Sequence, residues 1–259
     1  MSRLAQRRVL VVGGGRMASP EDDPPPGNGQ ATSVLAAREG AAVAVADVRE
    51  DAAAETVSLI AGEDGRATSV VADVTDPAQC ERMVDDAIDA LGGLDGVVLN
   101  VGTGGGMLLE GTTAELWDQV MAVNLRSHFL VARHALPRME DGGALVFISS
   151  LAGFQPGSRI PAYDTSKAAL GGLCRHVAME GAPRTIRANV VAPGLIDTPL
   201  GRLATRGRPG RGKVRIPLGR QGTAWEVAQT IVFLLSDDAS YITGQQIVVD
   251  GGLGSLTPM

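Results

Sequence analysis

The chain of 259 residues is poor in the residue types that hold metals, form disulfides or bind nucleic acids. Its two cysteines and three histidines show no metal-ligand or disulfide spacing, so we expect no metal site and no disulfide framework. Unpaired cysteines also favour a reducing, cytoplasmic setting. Aromatic residues make up only 3% of the chain and the net charge is −6 (23 − 29), so we predict no nucleic-acid partner.

Long hydrophobic runs are also missing. The basic N-terminal segment is followed by an apolar run of residues 9–12, whereas the apolar region of a signal peptide needs about 7–15 residues. No stretch approaches the roughly 20 apolar residues of a membrane span. We therefore expect neither secretion nor a membrane partner. A hydrophobic fraction of 44% is nevertheless ample for a globular core.

Short apolar runs rich in β-branched residues alternate with longer segments of helical periodicity. The apolar runs predict strands at residues 8–12, 42–47, 67–73, 96–100, 144–149, 187–192 and 246–250. The periodic segments predict helices at residues 30–38, 49–60, 77–91, 113–139, 162–180 and 223–235. Near-continuous apolar strands are typical of strands buried on both faces. We predict an α/β fold: one Rossmann-type doubly wound domain over residues 1–259, with a seven-stranded parallel sheet flanked by helices on both faces.

Two segments interrupt this alternation. Residues 18–29, called the insertion below, contain four prolines and three acidic residues and are expected to form an irregular loop. Residues 200–220, called the lid segment, contain seven Arg or Lys residues among glycines and prolines. They are expected to form a mobile surface loop.

A glycine-rich turn follows the first strand. Gly14 closes that strand, and Gly27 and Gly29 precede the first helix. The free N–H groups and positive dipole end of such a helix suit a pyrophosphate, although the same pattern also makes a simple tight turn. Asp47 ends the second strand, 47 − 29 = 18 residues later, where a carboxylate accepts bonds from an adenosine ribose. It would repel a 2′-phosphate, which favours NAD over NADP; a solvated strand end or helix cap is the alternative role.

The strongest signal is a Tyr-x-x-x-Lys pattern at Tyr163 and Lys167. Residues at i and i+4 share one helix face, and an ammonium beside a phenol favours the phenolate. Such a phenol can exchange a proton with an alcohol or carbonyl oxygen. Ser150 lies 163 − 150 = 13 residues earlier, at the end of a strand. Since strand side chains alternate, only one of Ser149 and Ser150 can face the site, and the spacing favours Ser150.

Other motifs occur in a fixed order around this pair. They are Asp73-Val74, Asn100-Val101-Gly102, Asn124, Ser150, Tyr163, Lys167, Pro193-Gly194 with Thr198, and Val249-Asp250-Gly251-Gly252. With this ordered set the sequence resembles a short-chain dehydrogenase/reductase over nearly its whole length. The resemblance implies hydride transfer between a nicotinamide cofactor and an alcohol or ketone carbon of a small molecule.

The resemblance also implies roles for individual residues. Tyr163 is the general acid/base, Lys167 lowers its pKa and binds the nicotinamide ribose, and Ser150 polarises the substrate oxygen. Asn124 supports a water that links Lys167 to solvent. The implied cofactor-binding residues are Gly14, Gly27 and Gly29 at the pyrophosphate, Asp47, Asp73 and Val74 toward the adenosine, Asn100 and Gly102 along the cofactor channel, and Tyr163, Lys167, Pro193, Gly194, Ile196 and Thr198 toward the nicotinamide. Thr198 reaches either the pyrophosphate or the nicotinamide side.

The glycine motif departs from the pattern of the family. Gly13 stands where the family usually has threonine, and 27 − 14 = 13 positions separate Gly14 from Gly27 instead of four, so nine residues are inserted. The insertion forms either a flap over the pyrophosphate or an outward bulge. We expect its acidic residues to face solvent, since inward carboxylates would oppose a phosphate. Arg16 either contacts phosphate or is solvated.

Several alternatives stay open. The leading hypothesis is that the protein is an NAD-dependent alcohol dehydrogenase or ketone reductase. A 3-oxoacyl-thioester reductase that uses NADPH, and a catalytically silent NAD-binding regulator, are the alternatives. The lid segment either attracts an anionic substrate or is simply solvated. The resemblance implies a homotetramer, and the apolar residues 253–259 are a candidate for a further interface.

Overall fold

A seven-stranded parallel sheet forms the centre of the computed structural model, which describes residues 2–155 and 157–256. Its strands are β1 (Arg8–Val12), β2 (Ala42–Asp47), β3 (Arg66–Val71), β4 (Gly96–Leu99), β5 (Ala144–Ile148), β6 (Arg187–Pro193) and β9 (Gln246–Val249). They lie in the order β3-β2-β1-β4-β5-β6-β9. A separate two-stranded pair consists of β7 (Ile196–Asp197) and β8 (Gly222–Thr223). The predicted fold class is confirmed.

Eight α-helices surround the sheet in the described residues. They are α1 (Asn28–Arg38), α2 (Glu50–Ala61), α3 (Pro77–Leu91), α4 (Ala114–Met121), α5 (Ser127–Ala135), α6 (Pro161–Gly181), α7 (Pro199–Arg206) and α8 (Ala224–Leu235). The sheet separates two apolar clusters. In β1, Leu10 and Val12 belong to the cluster that packs α3, α5 and α6, while Val9 and Val11 belong to the cluster that packs α1 and α8. Helices therefore cover both faces, as the alternation of β1 side chains requires.

Helix α3 shows how closely local signals define an element. The side chain of Asp76 accepts a hydrogen bond from the Ala78 N–H at 2.8 Å, which caps the helix, and Pro77 occupies its first turn. Gly92 ends the helix with a φ of 78°, a left-handed conformation that glycine adopts freely. These start and stop residues place the observed bounds at the predicted positions, 77–91.

The predicted helix at residues 113–139 is interrupted. Helices α4 and α5 are separated by a π-helical turn at Ala122–Arg126, and a 3₁₀ turn follows at Leu136–Arg138. Ser127 Oγ donates to the Val123 carbonyl at 2.5 Å, and Asn124 is bonded to another part of the chain. Such side-chain bonds compete with the regular helical pattern, and π-turns are frequent at functional sites.

Two further expectations are wrong in part. Strand β3 lies at the edge of the sheet and only Val70 in it is buried, so the expected burial on both faces does not hold for this edge strand. The lid segment, expected to be a surface loop, is helical in part: it contains most of α7 and a 3₁₀ helix at Pro209–Lys213. Thr198 explains the start of α7, since its hydroxyl accepts the Gly201 N–H at 3.0 Å.

In the described ranges, no helix combines the length and the apolar character needed to cross a membrane. The same residues contain no group of three or more His, Cys, Asp or Glu side chains that could hold a metal ion.

Candidate active site

The carboxyl ends of the parallel strands meet at one edge of the sheet, and the glycine turn lies there. Gly27 caps α1, which begins at Asn28, so the predicted glycine pair does lie at the helix start. A Cβ on Gly29 would lie 1.8 Å from the Gly13 carbonyl oxygen and 2.6 Å from Asn100 Nδ2. Asn100 in turn donates to Gly13 O at 2.8 Å. The first helix thus packs onto the turn at a distance that only glycine permits.

Gly14 is equally constrained. Its N–H donates to Ala46 O at 3.0 Å and its carbonyl accepts from Thr56 Oγ1 at 3.1 Å. A Cβ on Gly14 would meet Val45 at 2.9 Å. Gly14 therefore shapes the turn through bonds within the protein.

The insertion reaches the lid segment, which the sequence does not indicate. Both carboxylate oxygens of Glu21 pair with lid cations, Oε1 with Arg206 Nη2 at 2.5 Å and Oε2 with Arg202 Nη1. The expectation that the acidic residues face solvent holds for the exposed Asp22 and Asp23, and it is wrong for Glu21. Glu21 is drawn inward because α7 presents two guanidinium groups to it.

Arg16 is not simply solvated, because it is held by bonds within the protein. Its Nη2 pairs with Glu55 of α2 at 2.6 Å, and its Nη1 donates to Pro24 O at 3.2 Å. Arg16 therefore ties the insertion to α2.

A cavity of about 130 Å³ lies at the ends of β1, β2 and β3. Asp47, Asp73 and Val74 all line it, so the structure brings together the three residues expected near the adenosine. Asp47 accepts the Gly15 N–H through Oδ2 and the Arg49 N–H through Oδ1, both at 3.1 Å. These two bonds hold its carboxylate at the glycine turn.

The residues expected toward the nicotinamide lie around the ends of β4 and β6. A Cβ on Gly102 would lie 3.2 Å from Lys167 Nζ. Pro193 ends β6, and a Cβ on Gly194 would lie 2.5 Å from Asp250 Cβ. The last two of these residues follow along the chain. Ile196 is buried in β7, and the Thr198 hydroxyl oxygen caps α7.

Helix α6 carries the Tyr-x-x-x-Lys pair on one face. Lys167 Nζ lies 5.8 Å from the centroid of the Tyr163 ring and donates to Ile148 O at 2.8 Å. Burial lowers the pKa of Lys167 to about 8. Burial also raises the pKa of Tyr163, while a hydrogen bond with Ser150 acts in the opposite direction. Lys167 is not among the groups that shift the pKa of Tyr163, so the expected lowering by its ammonium is not seen.

The two serines after β5 point in opposite directions. Ser149 is buried and its Oγ donates to the Lys167 carbonyl at 2.7 Å. Ser150 instead lies close enough to the Tyr163 phenol to lower its pKa, and its Oγ accepts the Ala152 N–H at 3.2 Å. Only Ser150 is therefore beside the phenol, as strand alternation predicts.

Asn124 is fully buried in the π-helical turn. Its Oδ1 accepts the Thr103 N–H at 2.8 Å, and its Nδ2 donates to Thr103 O at 2.9 Å and Ser166 Oγ at 3.0 Å. Asn124 thus joins the segment after β4 to α6. Its contact in α6, Ser166, directly precedes Lys167. Sequence reasoning missed Thr103 and Ser166, because their contribution consists of pairing with Asn124.

His128 is another buried polar residue that the sequence did not single out. Its Nε2 lies 3.1 Å from Leu99 O, and burial together with the charge of Lys167 lowers its pKa to about 3. It is therefore neutral at physiological pH, and its ring stacks on Phe147 at 6.3 Å between centroids.

Comparison with known proteins identifies this arrangement. The model of a family described as Enoyl-(Acyl carrier protein) reductase matches residues 26–254. A 3-oxoacyl-(acyl-carrier-protein) reductase of Thermotoga maritima is 38% identical over 229 residues, covering 88% of this chain and 93% of that protein. A cyclohexanol dehydrogenase of Acinetobacter sp. is 36% identical over 232 residues, covering 88% and 91%.

The chain is also similar to solved structures. A variant of a Serratia marcescens short-chain dehydrogenase/reductase is 32% identical, with a TM-score of 0.85 over 98% of this chain and 100% of that one. The chain belongs to the short-chain dehydrogenase/reductase family. This short-chain dehydrogenase/reductase is accordingly an oxidoreductase of the nicotinamide-dependent class.

The residues at the glycine turn fit a dinucleotide. The side-chain oxygen Oδ1 of Asn28 is buried at the start of α1 without a hydrogen-bond partner in the described chain. Free N–H groups at a helix start favour an anion, and Gly29 lets this helix start lie against the glycine turn. In this short-chain dehydrogenase/reductase, Gly27, Asn28 and Gly29 would hold the pyrophosphate.

Replacing Gly29 by alanine should therefore disrupt the turn. The new Cβ would overlap Gly13 O, so α1 must move away from β1, and we expect a lower melting temperature together with at least tenfold weaker NAD binding. The control is Gly172→Ala in α6, where no atom lies within 4 Å and alanine should stabilise the helix by about 0.5–1 kcal/mol. Thermal unfolding measures the melting temperature of both variants, and NAD titration measures their affinity for NAD. Unchanged melting and binding in Gly29→Ala would contradict the assignment.

Proposed function

We propose that this short-chain dehydrogenase/reductase transfers a hydride between NAD(H) and the carbon of a small alcohol or ketone, with Tyr163 as general acid/base. The observation that carries the proposal is the grouping of Ser150, Tyr163 and Lys167 beside the chain that follows β4 and β5. The nicotinamide, when bound, supplies or accepts the hydride. The protein's part is to bind, to orient and to move one proton.

Tyr163 performs the proton transfer at the substrate oxygen. Because burial raises its pKa above the ordinary value of about 10, the phenol is protonated at neutral pH and donates to a carbonyl oxygen during reduction. Alcohol oxidation needs the phenolate instead. Ser150 holds the substrate oxygen beside the phenol and, by its hydrogen bond, favours the phenolate.

Lys167 and Asn124 support this exchange. An ammonium has three N–H donors, and Ile148 takes one of them, so two are left for a ribose hydroxyl and a water. Asn124 Oδ1 would lie 3.8 Å from a Cβ at Gly102, the position that also approaches Lys167 Nζ. We propose that the chain around Asn124 holds the water through which Lys167 exchanges protons with solvent.

The acidic residue Asp47 supports NAD as the cofactor. Its carboxylate stands at the end of β2, where it suits two ribose hydroxyls and repels a 2′-phosphate. The Arg49 guanidinium is paired with Asp51 at 2.5 Å and 3.1 Å, so Asp47 has no ion-pair partner of its own in the described chain.

Two other functions are considered. The similarity to the Thermotoga reductase favours a 3-oxoacyl-thioester reductase that uses NADPH, and Asp47 opposes that cofactor. A catalytically silent NAD-binding regulator would need none of the grouped residues Ser150, Tyr163 and Lys167.

Tyr163→Phe tests the proposal directly. Without the phenol hydroxyl, NAD-dependent oxidation of a panel of secondary alcohols should fall by about a thousandfold, in the middle of the range of general acid–base effects. The control is Tyr241→Phe, which changes the only other tyrosine, a fully exposed one. In wild type, kcat/KM for oxidation should rise with pH toward the phenol pKa, and that for reduction should fall there. NAD binding without turnover of any alcohol or ketone would support the regulator.

Asp47→Asn tests the cofactor preference. Loss of the charge should reduce the ratio of kcat/KM with NAD to that with NADP by at least about tenfold, since repulsion of the 2′-phosphate disappears. Glu50→Gln, an exposed charge change at the start of α2, is the control. A wild-type preference for NADP would overturn the role given to Asp47.

We propose that the whole chain forms one domain and works in the cytoplasm. Two apolar clusters on opposite faces of one sheet support a single unit. Cys80 and Cys174 are free and buried, and burial raises the pKa values of their thiols to about 11 and about 12, which fits a reducing compartment.

A homotetramer is proposed as the assembly. Large apolar side chains are exposed on α5, α6 and near β9: Phe129, Met179, Tyr241 and Val248. The earlier expectation for residues 253–259 falls partly outside the described chain, at residues 257–259. Light scattering should give a mass near 4 × 26.7 = 106.8 kDa, and Phe129→Asp should lower it. A wild-type mass of 26.7 kDa would contradict the proposal.

A further inference from the structure

The seven cations of the lid segment are not equivalent in the structure. Three are paired with carboxylates: Arg202 with Asp197 and Glu21, Arg206 with Glu21, and Arg220 with Glu226. Two more, Lys213 and Arg215, are exposed. Five of the seven positive charges are therefore accounted for: three are neutralised by carboxylates and two are solvated.

Arg208 and Arg211 differ from the other five. Both side chains are half-buried, and neither has a carboxylate within ion-pair distance in the described residues. Arg211 Nη1 donates to Gly201 O at 2.9 Å and Thr205 Oγ1 at 2.8 Å, which are neutral acceptors. Arg208 donates to Ala204 O at 3.4 Å and to the Ser158 carbonyl.

These bonds leave donors unused. A guanidinium has five N–H groups in one plane, and the Nη2 groups of both arginines have no acceptor in the described chain. Partly burying a cation without a counter-charge is unfavourable. Burial and the charge of Arg208 together lower the pKa of Arg211, so the two cations lie close to one another. An anion placed between them would relieve both costs.

Both arginines lie beside the candidate catalytic tyrosine. The positive charges of Arg211 and Arg208 act on the Tyr163 phenol and partly oppose the effect of its burial on its pKa. Arg208 is held by Ser158, in the segment that leads into α6. A Cβ at Gly104 would lie 3.8 Å from the Tyr163 ring, so the glycine-rich chain after β4 also contacts the surroundings of the phenol.

One acidic side chain, Asp164, also contributes to the net charge around Arg208 and Arg211. Asp164 follows Tyr163, and the positive charge of Arg208 acts on it, but burial raises its pKa. Its Oδ1 has no partner in the described chain, and Ser158 hydrogen-bonds the carboxyl group. With Asp164 ionised, two cations and one anion leave a single positive charge, which one monovalent anion would balance.

We propose that the substrate is a secondary alcohol or ketone that carries a carboxylate, and that Arg208 and Arg211 bind this carboxylate so that the reacting carbon faces Tyr163. The inference rests on the proposed oxidoreductase function and assigns its substrate class. The planar donors of two guanidinium groups match a carboxylate, whose hydrogen bonds to arginine are charge-assisted. A polyanion suits the region less well, because of Asp164 and the net charge of −6.

The experiment compares hydroxy acids with their neutral amides. The probes are 2-hydroxybutanoate, 3-hydroxybutanoate and 4-hydroxypentanoate, each beside its primary amide, with NAD as cofactor. Wild type should favour at least one acid over its amide by tenfold or more in kcat/KM. Arg208→Gln and Arg211→Gln should each reduce this acid-to-amide ratio by about ten- to a hundredfold, the effect of losing a charged hydrogen bond. Arg215→Gln, an exposed cation of the same segment, should change the ratio less than twofold.

A second measurement covers variants that fold poorly. In wild type, added NaCl should lower kcat/KM for the preferred acid and leave that for its amide unchanged, because only the acid is bound through charge. Equal use of acids and amides, or a preference that both glutamine variants retain, would overturn the inference. A preference for 3-hydroxybutyryl-CoA over its neutral N-acetylcysteamine thioester, with no preference among the acids, would overturn it too.

The outcomes also separate this inference from the proposed function. Turnover of the amides that is lost in Tyr163→Phe, without any preference for acids, would leave the oxidoreductase function standing and remove the carboxylate subsite. No turnover of any probe alcohol, acid or amide, nor of the corresponding ketones, would count against both.

Discussion

The packing of α6 against β5 is the contact on which the rest of the site depends. The Lys167 ammonium is buried and donates to Ile148 at the end of β5, while Ser149 Oγ bonds the Lys167 carbonyl. A Cβ on Gly153 would lie 2.9 Å from that same carbonyl, so the helix approaches the turn after β5 as closely as glycine allows. These contacts place Tyr163 opposite Ser150. A buried cation that lost its carbonyl partner would carry the full cost of its desolvation, so the geometry is strongly constrained.

Ion pairs fix the position of the insertion and decide which lid cations have carboxylate partners. The insertion is held to α2 through Arg16 and Glu55, and it is held to α7 through Glu21. One carboxylate from the insertion therefore neutralises two of the lid arginines. Of the four lid cations without a carboxylate partner in the described residues, Lys213 and Arg215 are exposed, and the two half-buried ones are Arg208 and Arg211, whose charges act on the phenol. An insertion that departs from the family's glycine motif thus affects which charges a substrate meets.

Much of the framework could be predicted from the chain alone, and the misses have definite physical causes. The bounds of α3 follow from Asp76, Pro77 and Gly92, whose effects act within one helical turn. The π-helical turn was missed because it depends on bonds between Asn124 and Thr103, which are distant in sequence. The exposure of β3 was missed because strand order decides which strand lies at the edge. Turn residues in the lid segment hid the start of α7, although Thr198 and Pro199 are ordinary helix-start signals.

The sequence by itself determined the alternation of strands and helices, the sheet type and the candidate residues Ser150, Tyr163 and Lys167. It could do so because periodicity, caps and the i, i+4 spacing are local properties of the chain. Only the tertiary structure decided that burial raises the pKa of Tyr163, that Lys167 faces Ile148, and that Glu21 selects its arginine partners. Burial and ion pairing depend on which distant segments share a surface, and that information is absent from any local pattern.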